Sequence, residues 1–318
     1  MSKCSPYALG ATLYMPATRS DILYVVFGEK IQGLRSLVVC LEDAVAETDL
    51  QQALANLKNL LLGIEARGGR PEGGPLLFVR PRDAVMAAIL NEWNLMSHVD
   101  GFVVPKLRLS NIHGWQRAVT RPSLMLMPTL ETAEVFDPSA MVELRSAMQQ
   151  VLPERIIALR IGGNDLMGCL GLRRNPVATL YSTPMSYVIP MLSGIMGCAG
   201  FALTGPVFEQ LNTPHLLEEE LALDIAHGLV GKTAIHPAQI PIIHKALQVS
   251  VEDLNSAKLI VNDVAPAVFQ YNGAMCEPAT HYHWATKILE RAKWHGVHSE
   301  CPIVEDTMGI HQLSEVAG

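Results

Sequence analysis

Residues 36–49 read SLVVCLEDAVAETD. Ser36 to Leu41 form a run long enough for one buried β-strand, and two carboxylates, Glu42 and Asp43, follow at once. A strand that is apolar on nearly every residue is covered on both faces, the condition of a parallel sheet wrapped by helices. Its acidic end is then either a solvated cap for the next helix or charge aimed into a pocket. Which of the two holds depends on whether the same unit recurs along the chain.

It recurs seven times more. Strand candidates stand at GATLYMPA (10–17), PLLFVRP (75–81), GFVVPKL (101–107), SLMLMPTLE (123–131), RIIALRIGGND (155–165), AGFALTGP (199–206) and KTAIHP (232–237). Helical patterns separate them. In DLQQALANLKNLLLGIEARGG, Leu54, Leu57, Leu61 and Ile64 share one face, and Gly68–Gly69 supply a stop. LEEELALDIAHGLVG (217–231) carries acids at its expected start, where the helix dipole favours negative charge. Eight such repeats predict an α/β fold of the (β/α)8 TIM-barrel class. A doubly wound open sheet is the alternative, but it usually places a glycine-rich phosphate loop after its first strand, and PATRSD (16–21) is no such loop. The barrel takes residues 1–247. Residues 248–318, including VEDLNSAKLIVNDVAPAVF and ATKILERAKWH, exceed what a barrel needs and are expected to form a C-terminal helical extension.

The chain has 318 residues, 49% hydrophobic and only 17% charged, with a net charge of −7. That balance favours a large buried core and argues against a nucleic-acid partner. The six cysteines form no CxxC pair, and Cys40 and Cys198 lie in apolar surroundings expected of buried thiols, so a reducing cytoplasm is the expected compartment. MSKCSPYALG leads straight into a strand-like segment, and no signal peptide is expected. Residues 176–208 carry no charge, yet Pro184, Pro190 and several glycines interrupt them. A core helix feeding a core strand is expected there, not a membrane span.

In a barrel the βα loops at the carboxyl ends of the strands form the functional face. The candidate strand ends supply Glu42 and Asp43, Arg80, Lys106, Glu131, Asp165, Thr204 and His236. Each has an ordinary reading: helix-capping acids, a surface ion pair for Arg80, a solvated loop lysine, a core histidine. Together they suit a divalent metal and an anionic substrate. Glu131 and Asp165 come from neighbouring strands and supply two carboxylates of the kind that hold Mg²⁺, an ion that keeps several waters. Gly162 and Gly163, just before Asn164, permit a tight turn near a ligand.

The series SLVVCLEDAV, FVRP, GFVVPK, LETAEVF, IGGNDL and GKTAIHPAQI resembles, in that order, the citrate lyase β subunit and its relatives in the HpcH/HpaI aldolase superfamily. The late segment NGAMCEPATHYHWA is similar to the TIM-barrel C–C bond lyases associated with tellurite-resistance and stress gene clusters. The resemblance implies a Mg²⁺-dependent lyase or aldolase that works through an enolate on a small oxoacid or hydroxyacid, or its acyl conjugate. It implies Glu131 and Asp165 as metal ligands, Arg80 as the group that binds a substrate carboxylate, and Gly163 and Asn164 beside the substrate. Glu42, Asp43, Lys106 and His236 line the same pocket in this reading. It further implies a homotrimer or dimer of trimers, whose extension packs on a neighbouring subunit and brings Glu277 over that subunit's metal as a catalytic acid or base. Thr204-Gly205-Pro206 stands where relatives carry Asp-Gly-Pro, Arg80 is followed by Pro81 and Arg82, and Met275-Cys276-Glu277 replaces a segment ending in aspartate. These departures put a coenzyme A thioester substrate in doubt. Two rivals remain open: a pyruvate-type class II aldolase in which His236 acts directly as acid or base, and a barrel without turnover that binds a ligand or serves assembly in a stress system.

Overall fold

Each of the eight apolar runs contains a strand in the computed structural model, which describes residues 4–298. They are β1 (Ala11–Pro16), β2 (Ser36–Cys40), β3 (Leu76–Arg80), β4 (Gly101–Val104), β5 (Met125–Leu130), β6 (Leu159–Ile161), β7 (Leu203–Thr204) and β8 (Lys232–Ala234). All are parallel to their neighbours and follow chain order from β1 to β7, while β8 pairs with β1. An isolated parallel bridge, Gly205 to Lys232, joins the end of β7 to β8. A doubly wound sheet would reverse its strand order at a switch point. This order never reverses, and the ring is that of a (β/α)8 barrel.

Strand parity divides the core in two. Leu37, Val39, Leu77, Val79, Phe102 and Val104 pack outward with helix residues such as Leu57, Leu61 and Trp115. Their neighbours Val38, Phe78, Val103 and Met127 point inward and form a smaller cluster with Leu9 and Ile157. Period-two alternation makes this sorting automatic. Further along the strands the inward positions turn polar, with Cys40, Arg80, Thr129 and Arg160 lining a cavity. The apolar plug thus floors a polar mouth.

Several local expectations need correction. The helix at Leu50–Ala66 buries Ala53, Leu57, Leu60, Leu61 and Ile64, whereas Leu54 is only partly buried. The helix expected to open on acids begins instead at Pro214 and has no acid in its first turn, because proline's fixed φ suits that position. Glu220 lies further along it, fully buried. The uncharged segment provides the helix Met185–Gly197, which holds Pro190 in its interior, and then β7. Cys198, expected to be buried, follows that helix and is exposed, while Cys40 is buried. Among the described residues no helix is long and apolar enough to cross a membrane.

The barrel unit ends at Leu247 and a second compact unit begins at Gln248. The second unit has helices at Val251–Ile260 and Pro278–His295, packed through Ala257, Ile260, Ala285 and Ile288. Between them lies an antiparallel hairpin, Phe269–Tyr271 with Ala274–Cys276, in an extension expected to be helical. Its turn is Asn272-Gly273, with φ of 48° and 78°. Left-handed φ at both positions is what a tight two-residue hairpin requires. Cys301 and the rest of the extension from residue 299 lie outside the described residues.

Candidate functional site

Five consecutive strands, β2 to β6, bring charged residues at or beyond their ends to one place. Arg80 is the last residue of β3 and is 8% exposed. Glu42 and Asp43 follow β2, and Glu131, 3% exposed, follows β5. Lys106, just after β4, adopts φ of 49°, a left-handed conformation uncommon for a lysine. That conformation lets its backbone N–H donate to Glu131 Oε1 at 2.8 Å while its ammonium donates to Glu42 Oε1 at 2.9 Å. Asp165 is not at a strand end. β6 stops at Ile161, and Asp165 sits in the first turn of the helix Gly163–Cys169. Asp43, Arg80, Glu131, Gly163, Asn164 and Asp165 all line a cavity of about 890 Å³.

The charges are unevenly matched. Arg80 Nη2 lies 2.8 Å from Glu42, 3.3 Å from Asp43 and 3.1 Å from Glu131. Lys106 Nζ lies 2.9 Å from Glu42, 3.5 Å from Asp43 and 3.8 Å from Asp165. Four carboxylates against two cations leave this cluster with a formal excess of two negative charges. Burial, with Asp165 adding to it, pushes Glu131 up to about 7 against the opposing pull of Arg80. Burial and the nearby Asp43 likewise raise Asp165, and burial raises Glu42. Asp43 goes the other way: its hydrogen bond with Glu42 and the charges of Arg80 and Lys106 outweigh burial and lower it. Glu131 and Asp165 are therefore held in a place where their negative charge is under-compensated, which a divalent cation corrects.

Gly162 makes room for this arrangement, and not through an unusual turn. Its φ is −87°, open to any residue. A Cβ there, however, would stand 2.3 Å from Glu131 Cβ and 2.6 Å from Glu131 Oε2. Close approach is the reason for glycine. Among the described residues no group of three or more His, Cys, Asp or Glu side chains forms a complete metal cage. Two carboxylates beside open cavity fit a hard cation that keeps part of its water shell.

The other expected site residues lie differently. His236 is exposed, is not among the cavity-lining residues, and accepts the Ala238 N–H on Nδ1 at 3.2 Å. Glu277 belongs to the second unit, at the N-cap of the Pro278–His295 helix, where its carboxylate accepts from Thr280 Oγ1 at 3.2 Å. Thr204 is fully buried in β7. Sequence reasoning passed over Tyr14, Thr129, Arg160 and Thr233, all of which line the cavity. The available signal was Arg160 itself, a charge inside the apolar run IIALRI. Also passed over was a buried ionic cluster on the outer side of the sheet: Lys232 bonds Glu220 at 2.9 Å and Asp224 at 2.6 Å, and Arg174 bonds Glu220 at 2.5 Å. Arg174 also holds the Val207 carbonyl at 2.7 Å, fixing the loop whose Val207 and Glu209 line the cavity.

Known proteins bear on this site. The family model described as a C–C bond lyase of the TIM-barrel fold matches residues 3–297. A (3S)-malyl-CoA thioesterase of Cereibacter sphaeroides is 25% identical over 256 residues, covering 78% of this chain and 80% of the relative. Protein CitE of Mycobacterium tuberculosis, solved in complex with magnesium, acetoacetate and coenzyme A, superposes with a TM-score of 0.65 at 21% identity, over 90% of this chain and 99% of that one. A citrate lyase of Burkholderia xenovorans superposes with a TM-score of 0.71 at 16% identity, over 92% and 94% of the two chains.

Proposed function

Because the chain belongs to the C–C bond lyase family of the TIM-barrel fold, we propose that it is a magnesium-dependent lyase that cleaves or forms a carbon–carbon bond through an enolate. Its substrate is a small oxoacid or hydroxyacid, or an acyl conjugate of one. The observation that carries this reading is the gathering of four carboxyl groups, Glu42, Asp43, Glu131 and Asp165, around two cations at the mouth of the barrel, with Glu131 nearly buried and its pKa pushed up to about 7. Glu131 and Asp165 would hold the ion. When bound, magnesium supplies Lewis acidity toward a carbonyl oxygen, where negative charge develops as the bond breaks.

The chain's own residues do the rest. Arg80, held by Glu42, Asp43 and Glu131, keeps a guanidinium at the cavity wall for a substrate carboxylate, and its Nε is buried without a hydrogen-bond partner. Lys106 fixes Glu131 through its backbone N–H and Glu42 through its ammonium, so both acids are set before substrate arrives. Preset charge of this kind needs no reorganisation during reaction. Gly163 and Asn164 lie along the cavity wall beside Asp165. We assign the proton transfer to Glu277 of a neighbouring subunit in a homotrimer or dimer of trimers. A direct acid–base role for His236 finds no support in its exposed position off the cavity. The free thiols of Cys4, Cys40, Cys169, Cys198 and Cys276 suit a reducing, cytoplasmic setting.

Calorimetric titration with Mg²⁺ tests the reading. Wild-type protein is expected to bind the ion, and Asp165→Ala and Glu131→Ala to bind it at least about 10-fold more weakly with unchanged circular dichroism. Equal affinity in all three proteins would refute the metal assignment.

A further inference from the structure

Arg160 lies on β6 and lines the same cavity, but its surroundings are the reverse of those of Arg80. It is 2% exposed. One amino group donates to the neutral hydroxyl of Thr233, and the guanidinium stacks over the Tyr14 ring with its carbon 5.0 Å from the ring centroid. The other amino group, Nη1, is buried without a hydrogen-bond partner. No described carboxylate lies within ion-pair distance of Arg160, which feels only the longer-range attraction of Glu131, whereas three crowd Arg80.

Strand register extends the pattern. Thr129 of β5 and Thr204 of β7 are the direct neighbours of Arg160 on either side. The hydroxyls of both are also buried without partners. Strand register thus sets a guanidinium nitrogen without a partner level with two such hydroxyls, two residues below Glu131 and Gly162, and of the two threonines Thr129 lines the cavity. Barrel interiors at this depth are commonly filled by Val, Ile and Leu. An ionised group taken out of water without a counter-charge carries a large desolvation penalty, which an arriving anion removes. Burial also works against the charged form of Arg160, lowering its pKa.

The geometry points to a second anion-binding subsite, built by the Arg160 guanidinium with the Thr129 hydroxyl, both on the cavity wall, that receives a second carboxylate of the substrate and selects dianionic over monoanionic oxoacids. This rests on the oxoacid reading above and adds a residue that sets specificity within it. Arg80 and the metal carboxylates hold the oxoacid end at the mouth, and Arg160 reads the far end on the floor.

The test compares oxaloacetate with 2-oxobutyrate, which carries a methyl group where oxaloacetate has its second carboxylate, by calorimetry with saturating Mg²⁺. Wild-type protein is expected to prefer oxaloacetate by about 10- to 100-fold, the range of a charged hydrogen bond. In Arg160→Met that preference should fall to within about threefold while Mg²⁺ and 2-oxobutyrate affinities hold, and Arg160→Lys should recover part of it. Loss of both oxoacids alike, or an undiminished preference, would overturn the subsite. Thermal melting separates this from failure of the lyase reading. Malonate, a dianion without a ketone, should raise the melting temperature of wild-type protein but not of Arg160→Met, whether or not any oxoacid binds. Ligand-free Arg160→Met should melt no lower than wild type, since it loses an uncompensated buried charge. A markedly lower melting temperature would mark Arg160 as structural. Stabilisation of wild type by sodium chloride equal to that by malonate at matched ionic strength would mean a resident halide and refute the substrate role.

Discussion

Gly162→Ala is the smallest change that should disable the mouth of the barrel while leaving every charge in place. The added methyl group would meet Glu131 Cβ at 2.3 Å and Oε2 at 2.6 Å, well inside van der Waals contact. Backbone conformation is no obstacle, because φ at Gly162 is −87°. The cost is therefore steric, about 1–3 kcal/mol for overpacking a site where the neighbour is nearly buried. Glu131 cannot give way freely, since its Oε1 already accepts from the Lys106 N–H at 2.8 Å and from Arg80 Nη2 at 3.1 Å. Relief requires Glu131 to move off Gly162 and out of its present position, and Mg²⁺ affinity should fall by about 10-fold or more. Gly168→Ala supplies the comparison: it lies in the helix that Gly162 precedes and on the cavity wall, but a Cβ there meets nothing within 4 Å, and alanine is the better helix residue by about 1 kcal/mol. Urea unfolding and Mg²⁺ calorimetry on the two variants give the answer. Wild-type stability and Mg²⁺ affinity in Gly162→Ala would refute the close-approach argument, and with it the placement of the ion against Glu131.

Arg80→Lys should lose oxaloacetate affinity by about 10-fold or more in calorimetry, because a single ammonium cannot serve Glu42, Asp43, Glu131 and a ligand with the fork of a guanidinium. Lys232→Met leaves buried Asp224 without an ion-pair partner among the described residues and Glu220 with Arg174, and urea unfolding should show a loss of about 3–5 kcal/mol; adding Asp224→Asn restores the charge balance and should recover more than half of it. His244 accepts the Ala11 N–H on Nε2 at 3.2 Å, and burial with the nearby Arg35 lowers its pKa from 6.5 to about 4. Between those values the unfolded chain binds the extra proton, so the stability supplied by neutral His244 is present above pH 6.5 and is lost as pH falls toward 4, by roughly 1–2 kcal/mol after allowance for partial exposure. His244→Asn should flatten that slope in unfolding measured from pH 7 to pH 4.

The barrel was legible because its strands are short, buried on both faces and regularly spaced, so hydrophobic runs alone marked all eight. Periodicity also placed the long helix at Leu50–Ala66. It failed where a boundary depends on one residue's geometry. Pro214 draws its helix start forward of the glutamates, and β6 ends at Ile161, four residues short of Asp165, because a helix begins at Gly163. The hairpin at Asn272-Gly273 carried its own local signal, a dipeptide suited to left-handed φ, but helix-like flanks obscured it.

The site was legible to a different degree, because a strand-end rule finds residues that sit at the mouth and misses those on the floor. Glu42, Asp43, Arg80, Lys106 and Glu131 all follow or end strands, so reading the tips gathered them. Arg160, Thr129 and Thr233 lie within strands, and only parity tells whether such a residue points into the barrel or toward the helices. Lys232 shows the other outcome: one position from Thr233, it faces the opposite way and pairs with Glu220 and Asp224 of an outer helix. A charge inside an apolar strand is therefore two different statements, depending on parity. On the outer face it comes with counter-charges supplied by the helix layer. On the inner face, as at Arg160, helices cannot reach it, and the missing counter-charge has to come from a facing strand or from a ligand. Here the facing strands offer hydroxyls, a phenol ring and the distant pull of Glu131, a carboxylate already bonded to Arg80, which leaves direct pairing to a ligand.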